Sequence, residues 1–249
     1  MTALKTLAAS VALAAFSLTA CSEAQPDGRT QFERETDRAK GSDTAPVTII
    51  EYASVACGGC AQFHEMGMPA IDQYVESGDV RYVFREMITG NPNIAVAGFM
   101  LANCAPEEDY FEVIDILFEQ QRALFTALQQ GRAQAQFQTI AHSAGFSDED
   151  YRACVTDSAN LEAVQAANER AAEDGIISTP TFIINGVTIE PGTASGVDGQ
   201  VYLANGDPLI DEQGAIPFSY ERETFERIIL YFKDRAEGRS PSGEDGGAG

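Results

Sequence analysis

The sequence predicts an α/β fold in which an all-helical domain interrupts a small β-sheet domain. Three observations lead to this prediction. Residues 47–87 show a strand, a helix and a strand in turn, and residues 92–174 carry helical periodicity throughout. Residues 181–190 then return to a strand, a tight turn and a second strand, before a last helix closes the chain.

The first β region surrounds two closely spaced cysteines. The apolar run over residues 47–53 predicts a buried strand, and helical spacing continues from Cys60 to about residue 77, before Gly78. Pro69 lies inside this helical pattern and predicts a kink, because proline cannot donate the helical hydrogen bond to residue 65. Residues 80–87 predict the next strand.

The helical block begins near residue 92. Its pattern predicts helices over residues 94–104, 136–144 and 159–172, and a further helix that starts with a capping box at Ser147. A long amphipathic helix is predicted from a set of apolar residues at helical spacing. These are Phe111, Ile114, Leu117, Phe118, Phe125 and Leu128.

The pattern returns to β-structure near residue 181. A strand over 181–184 is followed by the hairpin dipeptide Asn185-Gly186 and a partner strand over 187–190. A Gly-, Asp- and Pro-rich stretch over 191–217 contains a second hairpin dipeptide at residues 205–206, and it either shapes a substrate groove or forms inert surface. The order of elements predicts an α/β, thioredoxin-like fold with an inserted all-α helical domain.

The predicted domain bounds follow from these patterns. Residues 45–92 and 175–237 form the thioredoxin-like domain, and residues 93–174 form the inserted helical domain. The polar residues 22–44 are predicted to be a flexible tether with a short helix around 31–40, and residues 238–249 a disordered tail.

The N-terminal residues predict export. Lys5 precedes an apolar stretch over 7–20 that is too short to span a bilayer and is typical of a secretory signal. Leu18-Thr19-Ala20-Cys21 resembles the bacterial lipobox, so residues 1–21 are predicted to be a lipoprotein signal peptide that ends at Cys21, the site of lipidation. Ordinary cleavage after Ala24 is the alternative. In either case the protein reaches an oxidising compartment, and we expect a periplasm-facing protein of the cell envelope.

The net charge of −22 excludes one class of partner. Nucleic-acid recognition requires a basic surface, which this chain does not offer. The charge fits a soluble, self-repelling surface or, alternatively, an acidic docking face for a basic partner.

Cys57-Gly58-Gly59-Cys60 lies between a predicted strand end and a predicted helix start. A helix N-terminus carries partial positive charge and unpaired N–H groups, so it stabilises the thiolate of the first cysteine and lowers its pKa. The spacing therefore predicts a redox-active Cys57–Cys60 disulfide. Half of a zinc site is the alternative, but the chain offers few further ligands, and we expect no metal and no cofactor.

Two further positions are candidate site residues. Glu51 lies in the apolar strand six residues before Cys57, where a buried carboxylate could take and return the proton of Cys60. The alternative is a glutamate on a solvent-facing side of the strand. Thr179-Pro180 precedes the strand over 181–184, where a cis bond would leave the backbone of Thr179 free to hold an extended chain, and an ordinary trans proline is the alternative.

Cysteine counting favours a second disulfide. Removal of Cys21 by lipidation leaves four cysteines, an even number, and Cys104 with Cys154 is then the structural pair. A disulfide that closes so long a loop stabilises a protein by about 4 kcal/mol in the chain-entropy model. Two buried thiols on separate helices are the alternative.

From residue 45 to 234 the chain resembles the DsbA-like thiol:disulfide oxidoreductases of the thioredoxin superfamily. The segments that carry this likeness, in chain order, are residues 45–47, 51–52, 57–60, 63–64, 104–105, 151–154 and 175–186. The resemblance implies that Pro180 is cis and packs against the cysteine pair, that Cys57 is the exposed nucleophile, that Cys60 is its buried partner, and that Glu51 is the acid beneath them. Several members carry a second disulfide like Cys104–Cys154. Gly58-Gly59 departs from the proline- or histidine-bearing dipeptides of the family, which leaves oxidising strength open.

These observations together predict a protein-disulfide donor to exported proteins. Its expected partners are unfolded or thiol-bearing exported proteins, a membrane redox partner that resets the cysteine pair, and the lipid anchor on Cys21. A disulfide isomerase or reductase with the same pair is an alternative. A Cu(I)-binding module is another, because Cys60, His64 and Met68 recur at a spacing of four residues, with Met66 nearby.

Overall fold

The cysteine pair lies at the end of a strand in a seven-stranded sheet. The structure is a computed structural model and describes residues 29–239. The strand order is β1-β3-β2-β4-β5-β6-β7, in which β2 and β3 run parallel and all other neighbours run antiparallel. The strands are β1 Arg38–Lys40, β2 Val47–Ala53, β3 Val80–Glu86, β4 Thr181–Ile184, β5 Val187–Gly192, β6 Val201–Ala204 and β7 Asp207–Pro208.

Helices flank the sheet and fill the connection between β3 and β4. They are α1 Gly58–Met66, α2 Met68–Glu76, α3 Pro92–Asn103, α4 Tyr110–Glu119, α5 Gln121–Gln129, α6 Ala133–Ser143, α7 Asp148–Thr156, α8 Ser158–Glu173 and α9 Arg222–Ala236. The predicted α/β, thioredoxin-like fold with a helical insertion is confirmed. None of these helices is long and apolar enough to cross a membrane.

An aromatic cluster holds α1 against the sheet. The ring of Phe63 on α1 lies 4.7 Å from the ring of Phe182 on β4 and 4.7 Å from that of Phe225 on α9. All three side chains are buried. Burial of each such ring contributes roughly 1.5–3 kcal/mol, so the cluster fixes where the N-terminus of α1, and with it Cys57, lies.

The helix after the cysteines is broken rather than kinked. It ends at Met66, and α2 begins after Gly67, so the kink predicted at Pro69 is wrong. A Cβ atom on Gly67 would lie 2.7 Å from the Phe63 ring and 2.9 Å from the Tyr220 carbonyl oxygen, so only glycine allows this close approach. Pro69 sits in the first turn of α2, where its missing N–H costs no hydrogen bond.

The predicted long amphipathic helix is likewise two helices, α4 and α5, which meet at Gln120. The side chain of Gln121, the first residue of α5, donates from Nε2 to the carbonyl oxygens of Val55 and Cys57. The start of α5 is therefore tied to the segment that leads from β2 into α1.

Residues 29–44 pack on the sheet, so the predicted tether with a helix over 31–40 is wrong for this part of the chain. Strand β1 pairs with β3, and Arg81 and Arg85 of β3 form ion pairs with Glu33 and Asp37. The carboxylates of Glu33 and Asp37 are almost fully buried by these contacts. The predicted leader and Cys21 lie outside the described residues, as does most of the predicted tail.

The stretch over 191–217 extends the sheet. Asn205 and Gly206 adopt positive φ angles of 54° and 87° and form the predicted second hairpin, between β6 and β7. A small separate hairpin follows, with strands β8 Ile210–Asp211 and β9 Gly214–Ala215. The chain then returns through Tyr220 toward the cysteine pair.

Candidate active site

Cys57 caps the N-terminus of α1. Its backbone is extended, and its Sγ accepts the N–H of Cys60 at 3.3 Å. Both cysteines are free thiols, with Cys57 partly exposed and Cys60 buried. The side chain thus receives the donors that a helix N-terminus leaves unpaired, as the sequence predicts.

The two thiols have opposite acidities. The Cys60 thiol and the backbone N–H groups of Cys60 and Gly59 stabilise a negative charge on Cys57, outweigh its burial, and lower the pKa of Cys57 to about 6. Burial, followed by the contact with Cys57 and the charge of Glu51, raises the pKa of Cys60 well above its ordinary value. Near neutral pH, Cys57 is therefore the thiolate and Cys60 holds a proton.

The Thr179–Pro180 loop lies against the pair. Its peptide bond is cis, and the Thr179 carbonyl oxygen lies 3.3 Å from Cys57 Sγ. The Thr179 hydroxyl is 2.6 Å from the hydroxyl of Thr89, which anchors the loop. A Cβ atom added to Gly59 would lie 3.3 Å from Pro180 Cδ, so Pro180 sits directly beside the dipeptide between the cysteines.

Glu51 is buried in β2 and does not face solvent, so the alternative of an exposed glutamate is wrong. Its Oε2 accepts a hydrogen bond from Tyr82 at 2.5 Å and lies 3.2 Å from Nε2 of His64. The His64 ring in turn stacks on Phe118 at 3.8 Å. The carboxylate therefore lies in a network that spans β2, β3 and α1.

Sequence reasoning missed several residues of this site. Sequence patterns point to His64 only as a possible copper ligand and as part of the family resemblance, and they give no signal for Tyr82, Tyr220 or Gln121. Tyr220 lies near Gly59, and burial together with the charges of Cys60 and Cys57 raises its pKa to about 12. Ile177, two residues before Thr179, is 92 % exposed. Its neighbour Ile176 is equally apolar but buried, so the sequence gives no signal that separates the two.

Cys104 and Cys154 are bonded to each other, at a sequence separation of 50. Cys104 caps the C-terminus of α3 and Cys154 lies in α7, so the bond joins two helices of the inserted block. Cys57 caps α1 and Cys60 lies within it, so the two cysteine pairs lie on different helices.

The described residues do not favour a metal centre. Between residues 29 and 239 there is no group of three or more His, Cys, Asp or Glu side chains that could hold a metal ion. The predicted copper stripe also fails in its geometry, because Met68 begins α2 and does not continue the face of α1 that carries Cys60 and His64.

A groove of about 1600 Å³ runs beside the cysteine pair. It lies between the α1–α2 segment and helices α4 to α6, and Gly58, His64, Asp115 and Glu119 are among its lining residues. Gly58, which lies between the two cysteines, lines this groove, whereas Cys57 lies against the Thr179–Pro180 loop.

Comparisons with known proteins agree with this geometry. A family model described as thioredoxin matches residues 33–201. The chain is similar to a Rickettsia bellii protein named "Putative protein-disulfide oxidoreductase", with 25 % identity over 170 residues. That match covers 67 % of this chain but only 64 % of the relative, so the chain spans less than two thirds of the relative's length.

Two solved structures share the fold. Alpha-DsbA1 of Wolbachia pipientis superposes with a TM-score of 0.59 and 21 % identity, over 83 % of this chain and 95 % of that one. A protein-disulfide isomerase of Novosphingobium aromaticivorans superposes with a TM-score of 0.51 and 16 % identity, over 65 % and 91 % of the two chains. These likenesses concern the fold.

Proposed function

The chain belongs to the thioredoxin family, and we propose that it is a DsbA-like thiol:disulfide oxidoreductase that acts through Cys57 and Cys60. One observation carries the proposal. Cys57 caps α1, and its pKa is lowered to about 6, while that of the buried Cys60 is raised. A pair with one stabilised thiolate and one protonated, shielded thiol suits disulfide exchange better than a structural role.

The exchange follows from this asymmetry. In the oxidised protein, a thiolate of a client attacks the exposed sulfur of Cys57, and Cys60 leaves as a thiolate that takes up one proton. A second client thiolate then attacks the client sulfur of this mixed disulfide, and Cys57 departs as a stabilised thiolate. The client gains a disulfide, and the protein retains the two electrons as its dithiol.

Glu51 serves Cys60 in this scheme. It is buried on the strand that leads into the active-site loop, and its charge contributes to the raised pKa of Cys60. A carboxyl group in this position can supply the proton when Cys60 leaves and accept it when Cys60 attacks. This is the role that the resemblance assigns to it.

The loop beside Cys57 is the proposed docking edge. The Thr179 carbonyl lies within 3.3 Å of the reactive sulfur, and Thr179 immediately precedes strand β4. Strand-like pairing with this backbone would hold an extended client without reading its sequence. The exposed Ile177 adds an apolar contact on the same loop.

The proposed direction is oxidation of clients, because a stabilised Cys57 thiolate favours release of a finished client disulfide. Equilibration with glutathione buffers would measure the reduction potential of the pair. We expect a value between the roughly −270 mV of thioredoxin and the roughly −120 mV of a strongly oxidising DsbA. The reason is that the Cys57 pKa of about 6 lies between the roughly 7 and roughly 3.5 of the reactive cysteines in those two proteins. A value near that of thioredoxin would favour the reductase or isomerase alternative.

We also propose that the protein acts at the periplasmic face of the cell envelope, anchored through Cys21 and reset by a membrane redox partner. The lipobox-like residues 18–21 support the anchor. Metabolic labelling with a radioactive fatty acid should mark the wild type and fail to mark Cys21→Ala. A mature N-terminus at Gln25 would show that ordinary cleavage occurs instead.

A further inference from the structure

Two buried polar atoms on neighbouring side chains lack a hydrogen-bond partner. Among the side chains of residues 29–239, the buried nitrogen and oxygen atoms without a partner are Oε1 of Glu51 and Nδ1 of His64. Folded proteins satisfy the large majority of such atoms, so each exception calls for an explanation. Both exceptions fall on one contacting pair, directly behind the reactive cysteines.

The His64 ring bridges two carboxylates. Its Nε2 lies 3.2 Å from Oε2 of Glu51, and its Nδ1 lies 3.6 Å from Oδ1 of Asp115 on α4. Stacking on Phe118 holds the plane of the ring. A shift of a few tenths of an ångström would bring Nδ1 within hydrogen-bond distance of Asp115.

Solvent exposure increases from Cys60 and Glu51 through His64 to Asp115. Cys60 and Glu51 are 0 % exposed, the His64 side chain is 5 % exposed, and the Asp115 side chain is 45 % exposed. Asp115 and His64 both line the groove beside α1. A proton on Glu51 therefore has no direct contact with water, whereas one passed through His64 reaches it.

We propose that His64 is a proton relay that connects Glu51 with solvent at Asp115. This inference rests on the proposed function, since it concerns the proton of Cys60. When the reduced pair is reoxidised by a disulfide, Cys60 attacks the sulfur of Cys57 in the mixed disulfide and the sulfur of the oxidant leaves as a thiolate. The S–H proton of Cys60 passes to Glu51. His64 Nε2 takes that proton, and Nδ1 releases its own to Asp115 or to groove water.

The relay resets within one catalytic cycle. Client oxidation requires one proton to reach Cys60, and reoxidation removes one, so the proton moves inward once and outward once. The imidazole changes tautomer in each transfer and returns to its starting tautomer after both. No further reagent is needed beyond the client thiols and the oxidising disulfide.

The groups that face His64 are compatible with this role. They are Glu51 from β2, Tyr82 from β3 by way of Glu51, and Asp115 from α4. Burial alone would lower the pKa of His64, but the two carboxylates outweigh burial and raise it. The ring can therefore hold a second proton briefly during transfer.

The test uses a reduced protein and a chromogenic aryl disulfide. The first release of chromophore reports attack by Cys57, and the second reports attack by Cys60 on the mixed disulfide. In His64→Gln, which keeps an amide donor toward Glu51 but cannot relay, we expect the second step to slow about tenfold. The first step should change less than twofold, and added imidazole, which can enter through the groove, should restore part of the second rate.

Asp115→Asn is an independent variant, because it changes the partly exposed carboxylate that lies next to His64. We expect its second step to slow about threefold and to depend on buffer concentration. Glu119→Gln is the matched control, because Glu119 lies on the same helix and lines the same groove. The ion pairs of His64 are with Glu51 and Asp115 and not with Glu119. Glu119→Gln should behave as the wild type.

Three outcomes would overturn the relay. They are a wild-type second rate in both His64→Gln and Asp115→Asn, equal slowing of both steps, or slowing that no buffer or imidazole relieves. A wild type that shows no first release at all would instead contradict the proposed function. The two failures are therefore distinguishable in the same experiment.

Discussion

The two cysteine pairs of this chain occupy opposite ends of helices. Cys57 caps the N-terminus of α1, where the helix dipole and the N–H of Cys60 favour a thiolate. Cys104 caps the C-terminus of α3, where the dipole is negative and a thiolate is disfavoured. The first pair consists of free thiols separated by two residues, and the second is bonded across a separation of 50.

The position of a cysteine on its helix therefore decides whether its disulfide exchanges readily or stays closed. A sulfur that is a stable thiolate is a good leaving group, so a disulfide at the α1 N-terminus opens readily. A sulfur at a helix C-terminus gains no such stabilisation.

The largest expected effect is loss of activity when the reactive pair is changed. Cys57→Ser should abolish insulin reduction and oxidative refolding of a reduced client, because the nucleophile is gone. Cys60→Ser should retain attack on disulfides and accumulate mixed disulfides on Cys57, which non-reducing gels and mass spectrometry would detect. Full activity of Cys57→Ser would refute the assignment of the pair.

The second pair should affect stability instead. A protein with both Cys104→Ala and Cys154→Ala should lose about 4 kcal/mol of unfolding free energy in the chain-entropy model, while its rate with a small disulfide stays within twofold of the wild type. Urea denaturation and single-turnover kinetics measure the two quantities.

The Cys104–Cys154 bond should also persist in the exported protein. In the exported wild type, neither cysteine should react with an alkylating reagent before reduction. Labelling of both would contradict the assignment of a permanent disulfide to this pair.

The pH dependence should separate the pairs further. Alkylation of Cys57 in the reduced protein should titrate with a midpoint near pH 6 and fall about tenfold per pH unit below it. Because this pKa lies below the ordinary value of 9.0, the reduced form gains stability relative to the oxidised form as pH rises from about 6 to 9. It loses that gain as pH falls from 9 through 6. Thermal unfolding of both forms across this range measures the difference, which would be independent of pH if Cys57 were an ordinary thiol.

A smaller effect is expected at Ile177. Ile177→Ser should raise the KM for an unfolded client several-fold, because it removes an exposed apolar side chain that a client would cover. The rate with a small aryl disulfide should stay unchanged. Leu230→Ser on α9 is the control, because it also removes an exposed apolar side chain. Equal effects of the two variants would exclude a specific role for the loop.

The smallest effects concern the dipeptide between the reactive cysteines. A Cβ atom on Gly58 would meet nothing within 4 Å, so Gly58→Ala should stabilise the protein by up to about 1 kcal/mol. A Cβ atom on Gly59 would lie 3.3 Å from Pro180 and 3.5 Å from the Tyr220 hydroxyl, so Gly59→Ala should give no gain or a small loss. Thermal unfolding of the two variants compares them directly, and an equal gain in both would show that the loop is looser than described.

Local patterns predicted much of this architecture. The strands over 47–53 and 181–184 and the turn at Asn185-Gly186 form as predicted, because each depends on hydrophobic runs and turn residues in its own segment. The capping box at Ser147 forms for the same reason.

The failures depend on contacts between distant segments. Glu33 and Arg81 are far apart in sequence, so composition alone could not show that residues 29–44 pack on β3. The spacing of Cys60, His64 and Met68 suggests copper ligands, whereas the observed partner of His64 is Glu51, which depends on how α1 lies over β2. A spacing pattern predicts which face is buried and is silent about what it meets.

The docking of β1 on β3 also limits how far an anchored protein could move. Because residues 29–44 pack on the sheet, at most the seven residues 22–28 separate Cys21 from the described fold, and not the whole of 22–44. Seven residues reach at most about 25 Å at full extension. A protein anchored to lipid through Cys21 would therefore stay within a narrow layer next to the bilayer. It would reach clients in that layer mainly by rotating about its anchor.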